Sequence, residues 1–155
     1  MNSSNMGNYY EDFHVGDVIC HSLSKTVTES DNNLFCLLTM NHHPVHLNED
    51  YARKSQHGKI LVVGTLVFSL TVGITVPDIS GKAVANLDYE SIEHLAPVFI
   101  GDTIYVKTEI LSKRESKTKP DRGIVYVETV GMNQNKTEVI RFRRHVLVYK
   151  RGSDE

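Results

Sequence analysis

The chain carries eight histidines, three of them within Asn41-His42-His43-Pro44-Val45-His46. Imidazole takes up and returns a proton near neutral pH, so this cluster is the first candidate for chemistry. Three readings fit the residue types. His42, His43 and His46, with Glu49, Asp50 or His57, offer metal ligands, but their spacing matches no familiar template and no metal is expected. The histidines could instead cap and hydrogen-bond a polar loop. In the third reading one histidine works as general acid and base, aimed by a loop that Pro44 stiffens. Arg53, Lys54 and Lys59 follow closely. They are suited to an anionic substrate group, or they form a solvated helix face.

The elements that position these residues can be read from periodicity. Asp102–Leu111, Ile124–Met132 and Glu138–Tyr149 alternate in polarity and are rich in β-branched and aromatic residues. They predict three long antiparallel strands, with a hairpin loop over Ser112–Arg122 and turn residues at Asn133–Lys136. Val84–Ile92 reads as a fourth strand and Asp17–Thr28 as a fifth. Leu34, Leu37 and Leu38 recur at helical spacing behind a Ser/Asp start, which predicts a capped helix over 30–39 packed on its leucine face. A second short helix, capped by Asn48, covers 48–54. Ile60–Ile79 is uncharged until Asp78 and longer than a strand, and it predicts a buried helix ended near Pro77. Its 17 uncharged residues from Ile60 to Val76 include two glycines and fall short of a membrane span. Phe13-His14-Val15-Gly16-Asp17 echoes Phe99-Ile100-Gly101-Asp102, marking two equivalent turns into strands.

At 155 residues one domain is the default, and its core needs neither disulfide nor metal. Residues 9–150 read as that domain, between a flexible lead over 1–8 and a frayed end over 151–155. Cys20 and Cys36 form no CxxC pair and read as buried free thiols in a reducing, cytoplasmic setting. The net charge of −2 excludes nucleic-acid binding by simple electrostatics. Residues 101–155 hold 12 basic and 8 acidic groups, a balance that suits a phosphorylated ligand. Arg141, Arg143 and His145 share one strand face, placed for phosphates or for ion pairs.

Thr39-Met40-Asn41-His42-His43-Pro44-Val45-His46-Leu47-Asn48, followed by Ala52, resembles the Ser/Thr-Gly-Asp-x-Asn-Pro-x-His-x-Asp-x-x-x-Ala signature of MaoC-like dehydratases. This family includes the (R)-specific enoyl-CoA hydratases. Pro97-Val98-Phe99-Ile100-Gly101-Asp102-Thr103 is similar to a second family stretch, and His57 through Gly64 resembles its turn into a central helix. The likeness covers roughly 9–150. It implies an α+β hot dog fold, an antiparallel sheet wrapped around one long apolar helix, assembled as a homodimer or higher oligomer.

The resemblance also implies a reaction, the addition or removal of water across the C2–C3 bond of an enoyl-CoA thioester. The expected partner is an acyl-CoA substrate, with no cofactor beyond its own coenzyme A, no nucleic acid and no membrane. His46 falls on the family histidine and Gly64 on the glycine whose N–H receives the thioester oxygen. Where the family has aspartate this chain has Asn41, where it has glycine Met40, and where it has asparagine His43. Asparagine orients water but carries no proton, so His46 is expected to shuttle protons alone or with help from His43, Glu49 or Asp50. The Thr-Met-Asn-x-x-Pro-x-His form is similar to hydratases of small branched dicarboxylyl-CoA esters, mesaconyl- or itaconyl-like. Such a substrate would place its free carboxylate near Arg53 or Lys59. Two other functions stay open, a thioesterase on the same fold and a non-catalytic acyl-CoA binding module.

Overall fold

The computed structural model describes residues 6–153. Two short edge strands, β1 (Val18–Cys20) and β2 (Lys25–Thr26), precede helices α1 (Glu29–Thr39), α2 (Pro44–Leu47), α3 (Glu49–Arg53) and α4 (Gly64–Thr75). Then come β3 (Ala83–Asn86), β4 (Glu90–His94), β5 (Thr103–Glu115), β6 (Arg122–Met132) and β7 (Glu138–Tyr149). The sheet runs β1-β5-β6-β7-β3, with β2 also on β5 and β4 also on β7. Every pairing is antiparallel. The three long strands are those read from the alternation. The fourth and fifth expected strands are each broken in two, so the edges are short.

The two Gly-Asp turns are structurally equivalent, with Gly16 at φ +93° and Gly101 at +94°, a region that strongly favours glycine. Gly16 N–H donates to Ile110 O and Gly101 N–H to Val27 O, both at 2.8 Å.

The inner face of the sheet grips α4. Val67 and Ile74 pack with Val106, Ile140 and Phe142 in one core cluster, and Phe13, Ile79, Val127 and Val146 form a second. The helix packs closely where β6 has no side chain: a Cβ on Gly131 would lie 3.1 Å from Thr71 Oγ1. Gly73, the other glycine of this helix besides Gly64, faces open space. This is the hot dog arrangement. The central helix is shorter than 60–79, because 60–63 are extended, with Leu61 bridging Phe99. Beyond Thr75 the chain widens into a π-type turn, Val76–Ser80, that accommodates Pro77. No described helix is long and apolar enough to cross a membrane.

Strand alternation sorts the basic run of β7. Arg141, Arg143 and His145 point outward and pair with Glu138 (2.6 Å), Glu128 (2.8 Å) and Asp88 (2.8 Å), the ion-pair alternative. Arg144 points inward. It is fully buried, donates to Thr75 Oγ1 at 2.7 Å, and burial pulls its pKa down.

Two expectations are corrected. On α1 the leucine face is outward, with Leu34, Leu37 and Leu38 exposed by 57%, 65% and 74%, while Asn32 and Cys36 are buried. Cys20 is an exposed thiol, although Cys36 is buried as expected and its pKa is raised by that burial. Gly7 lies against Gly81, Asn8 donates to Asp78 O at 2.9 Å, and Arg151 pairs with Asp12; residues 1–5, 154 and 155 lie outside the described residues.

Candidate active site

The histidine segment begins where α1 ends. Met40 closes α1 in the left-handed region, at φ 59° and ψ 22°. A glycine-type position is therefore filled by a side chain. Asn41 follows, its N–H donating to Cys36 O at 3.1 Å and its Oδ1 facing the His43 N–H at 3.4 Å. His43 caps α2, a four-residue helix in place of the expected loop, by accepting the Val45 N–H on Nδ1 at 3.2 Å. Pro44 starts that helix, where its missing N–H costs nothing.

His46 lies half-buried on α2. Its Nδ1 is 2.6 Å from Leu61 O. A carbonyl only accepts, so Nδ1 carries the proton, and in the neutral ring Nε2 keeps its lone pair as a base. The residue that fixes this arrangement is Asn32, which the sequence reading misses. Its fully buried amide donates to His46 O and accepts from Val63 N–H, each at 3.0 Å. One side chain thus ties the His46 backbone to the start of α4. The available signal is its spacing: Asn32, Phe35 and Cys36 form the inward stripe of α1.

With Val63 N–H taken by Asn32, and Leu66 and Val67 donating to Val63 O, the N–H groups of Gly64 and Thr65 have no acceptor among the described residues. They are free donors at a helix N-terminus, where negative charge is favoured. Gly64 lines a cleft of about 460 Å³ whose walls include Leu61, Val67, Leu95 and Val98, with Gln56, His57 and His94 as polar members. The volume suits a small acyl group with part of a longer carrier. His46 does not itself line this cleft; its ring is bonded to the carbonyl of Leu61, which does.

The expected cations are elsewhere. Arg53 and Lys54 pair with Glu49 (3.2 Å) and Asp50 (2.8 Å) on the exposed face of α3. Lys59 lies over the Phe99 ring at 4.1 Å. His94 is a second residue that the sequence reading misses: a Cβ built on Gly64 would be 3.0 Å from its Cε1. Nothing in its local sequence marks it. A further group of ligand-type side chains, Asp88, Glu90 and His145, is internally bonded on the outer sheet face.

A family model described as mesaconyl-CoA hydratase matches residues 1–155. The chain belongs to the mesaconyl-CoA hydratase family. It is 34% identical over 150 residues to a mesaconyl-CoA hydratase of Cereibacter sphaeroides, covering 97% of this chain and 43% of that protein. It is 35% identical to a β-methylmalyl-CoA dehydratase of Chloroflexus aurantiacus, covering 96% of this chain and 42% of the relative. A solved MaoC domain chain from Chloroflexus aurantiacus superposes with a TM-score of 0.91 at 34% identity, over all of this chain and 44% of the other. The chain therefore spans under half the length of these family relatives.

Proposed function

We propose that this chain hydrates the C2–C3 double bond of an enoyl-CoA thioester, and dehydrates the product, with a branched dicarboxylyl-CoA of the mesaconyl kind as substrate. The observation that carries the reading is the Asn32 amide that joins the His46 backbone to Val63, which holds an imidazole with its proton on Nδ1 and the free Gly64 N–H to one framework at the start of α4. The names of the matched relatives support the same reaction in both directions.

In this mechanism His46 Nε2 takes a proton from water as its oxygen bonds to C3. The π electrons move toward C1 and place negative charge on the thioester oxygen, which the Gly64 and Thr65 N–H groups receive. A donor of this type contributes about 2.7–4 kcal/mol in comparable sites. The enolate then collapses, and the proton held by His46 passes to C2, leaving the hydroxyl on C3. Asn41 and His43 shape the approach to His46 through the turn and cap they form. The steps are proton transfers and hydrogen bonds, so the chemistry calls on no cofactor or metal beyond the substrate's coenzyme A.

The same reading places the chain in the cytoplasm, in keeping with two free thiols. It makes the chain a homodimer or higher oligomer. Support comes from the exposed Leu34, Leu37 and Leu38, and from Leu87, Tyr89 and Ile92 at the β3–β4 edge, which favour cover by another copy.

The test incubates the protein with mesaconyl-CoA and follows enoyl-thioester absorbance, free thiol and product mass. Loss of absorbance with a gain of one water and no thiol is the expected result. Thiol release would make it a thioesterase, and binding without either change a binding module.

A further inference from the structure

We infer that His94 is the specificity-determining residue of the cleft, the group that receives the free carboxylate of a dicarboxylyl-CoA substrate; this rests on the hydratase reading above. The first observation is position. The His94 ring packs against the first residue of α4, with Cε1 3.0 Å and Nε2 3.1 Å from where a Gly64 Cβ would be. It therefore stands beside the N–H groups that would hold the thioester oxygen.

The second is reach. In a mesaconyl thioester the carboxyl carbon is three carbon–carbon bonds from the thioester carbon, about 4 Å at roughly 1.5 Å per bond. Its recognising group must lie within hydrogen-bond distance of that point. The buried Arg144 is too far, because its partner Thr75 ends α4 about 16 Å from Gly64 at ~1.5 Å per residue.

The third is availability. Arg53 and Lys54 are held by Glu49 and Asp50, and Lys59 by the Phe99 ring. His57 accepts from Gln56 at 3.0 Å and lies edge-on to Phe99. The His94 ring has no hydrogen bond among the described residues. Its N–H is free to donate to a carboxylate. Its place on β4, beside Ile140 of β7, fixes the backbone that carries it.

The test compares mesaconyl-CoA, with a carboxylate on C3, and crotonyl-CoA, with a methyl there. Hydration and calorimetric binding are measured for wild type, His94→Leu and His94→Gln. The expected result is a fall in the mesaconyl-to-crotonyl ratio of kcat/KM on the order of 10–100-fold in His94→Leu. The fall should come mainly through KM and be matched in Kd, with partial recovery in His94→Gln, which keeps an N–H donor. An unchanged ratio, or equal losses on both thioesters, would overturn the proposal. A wild type that hydrates neither thioester would end the hydratase reading, and calorimetry would still decide this one. A binding preference for mesaconyl-CoA that disappears in His94→Leu upholds it, and no preference overturns it.

Discussion

Asn32 and His46 are joined by a 3.0 Å hydrogen bond from the Asn32 side-chain amide to the His46 carbonyl oxygen. The same amide accepts the Val63 N–H, so one buried group sets the spacing between the proposed base and the helix that would hold the thioester oxygen. Neither His46 nor Gly64 is placed by local sequence alone. They are placed against each other by a residue from a third element.

Replacing Asn32 by Leu keeps the size of the side chain and removes both bonds. Val63 N–H and His46 O would lose their partner, at about 1–3 kcal/mol for each group left buried and unpaired. Urea unfolding should show a loss of about 2–6 kcal/mol by the same count. Hydration at a temperature where the variant is folded should also fall. A variant as stable and as active as wild type would remove Asn32 from its tethering role.

Met40 offers the opposite sign. It occupies the left-handed region with its side chain 83% exposed, so there is backbone strain and little packing to lose. Met40→Gly should raise stability by about 0.5–1 kcal/mol, since L residues pay roughly 1–2 kcal/mol there and glycine does not. Chemical denaturation measures this directly.

Gly64→Ala should separate folding from function. Gly64 is the first residue of α4, where helix propensity counts for little, and the exposed His94 ring can yield to a methyl, so thermal stability should change by less than about 1 kcal/mol. The new methyl would press on the His94 ring and intrude where the thioester is held. A loss of about 10²-fold in kcat/KM is expected for a displacement of that scale. Full activity would contradict the placement of the substrate.

The N-terminus of α1 should respond to acid. Thr28 N–H and the Lys25 ammonium hold the Asp31 carboxyl below its ordinary value of 3.8. A folded-state pKa below the unfolded one stabilises the fold above the unfolded value and is lost as pH falls through the folded one. Asp31→Asn should thus be less stable than wild type at pH 7, with the gap closing as pH drops below about 4. Paired denaturation curves across that range test it.

The long strands are legible because period-two alternation sustained along a whole strand fits no helix, and the Gly-Asp echo because both turns need the same backbone. The leucines of α1 mislead for a physical reason. Helical spacing reveals an apolar face but not what covers it, and within this chain nothing covers Leu34, Leu37 and Leu38 fully. His46 is legible from its type and its proline. Asn32 is easily passed over because asparagine near a helix start usually caps. His94 is invisible because only the folding of β4 beside β7 carries it to Gly64.

The central claim is that His46 moves the proton. Its most direct test is the rate of mesaconyl-CoA absorbance loss for wild type and His46→Gln, each first shown to be folded and to bind the thioester. Losing the general acid–base group should lower kcat by about 10²–10⁴-fold while binding is largely kept. Equal rates in the two proteins would contradict the claim, and the base would have to be sought among the groups that line the cleft.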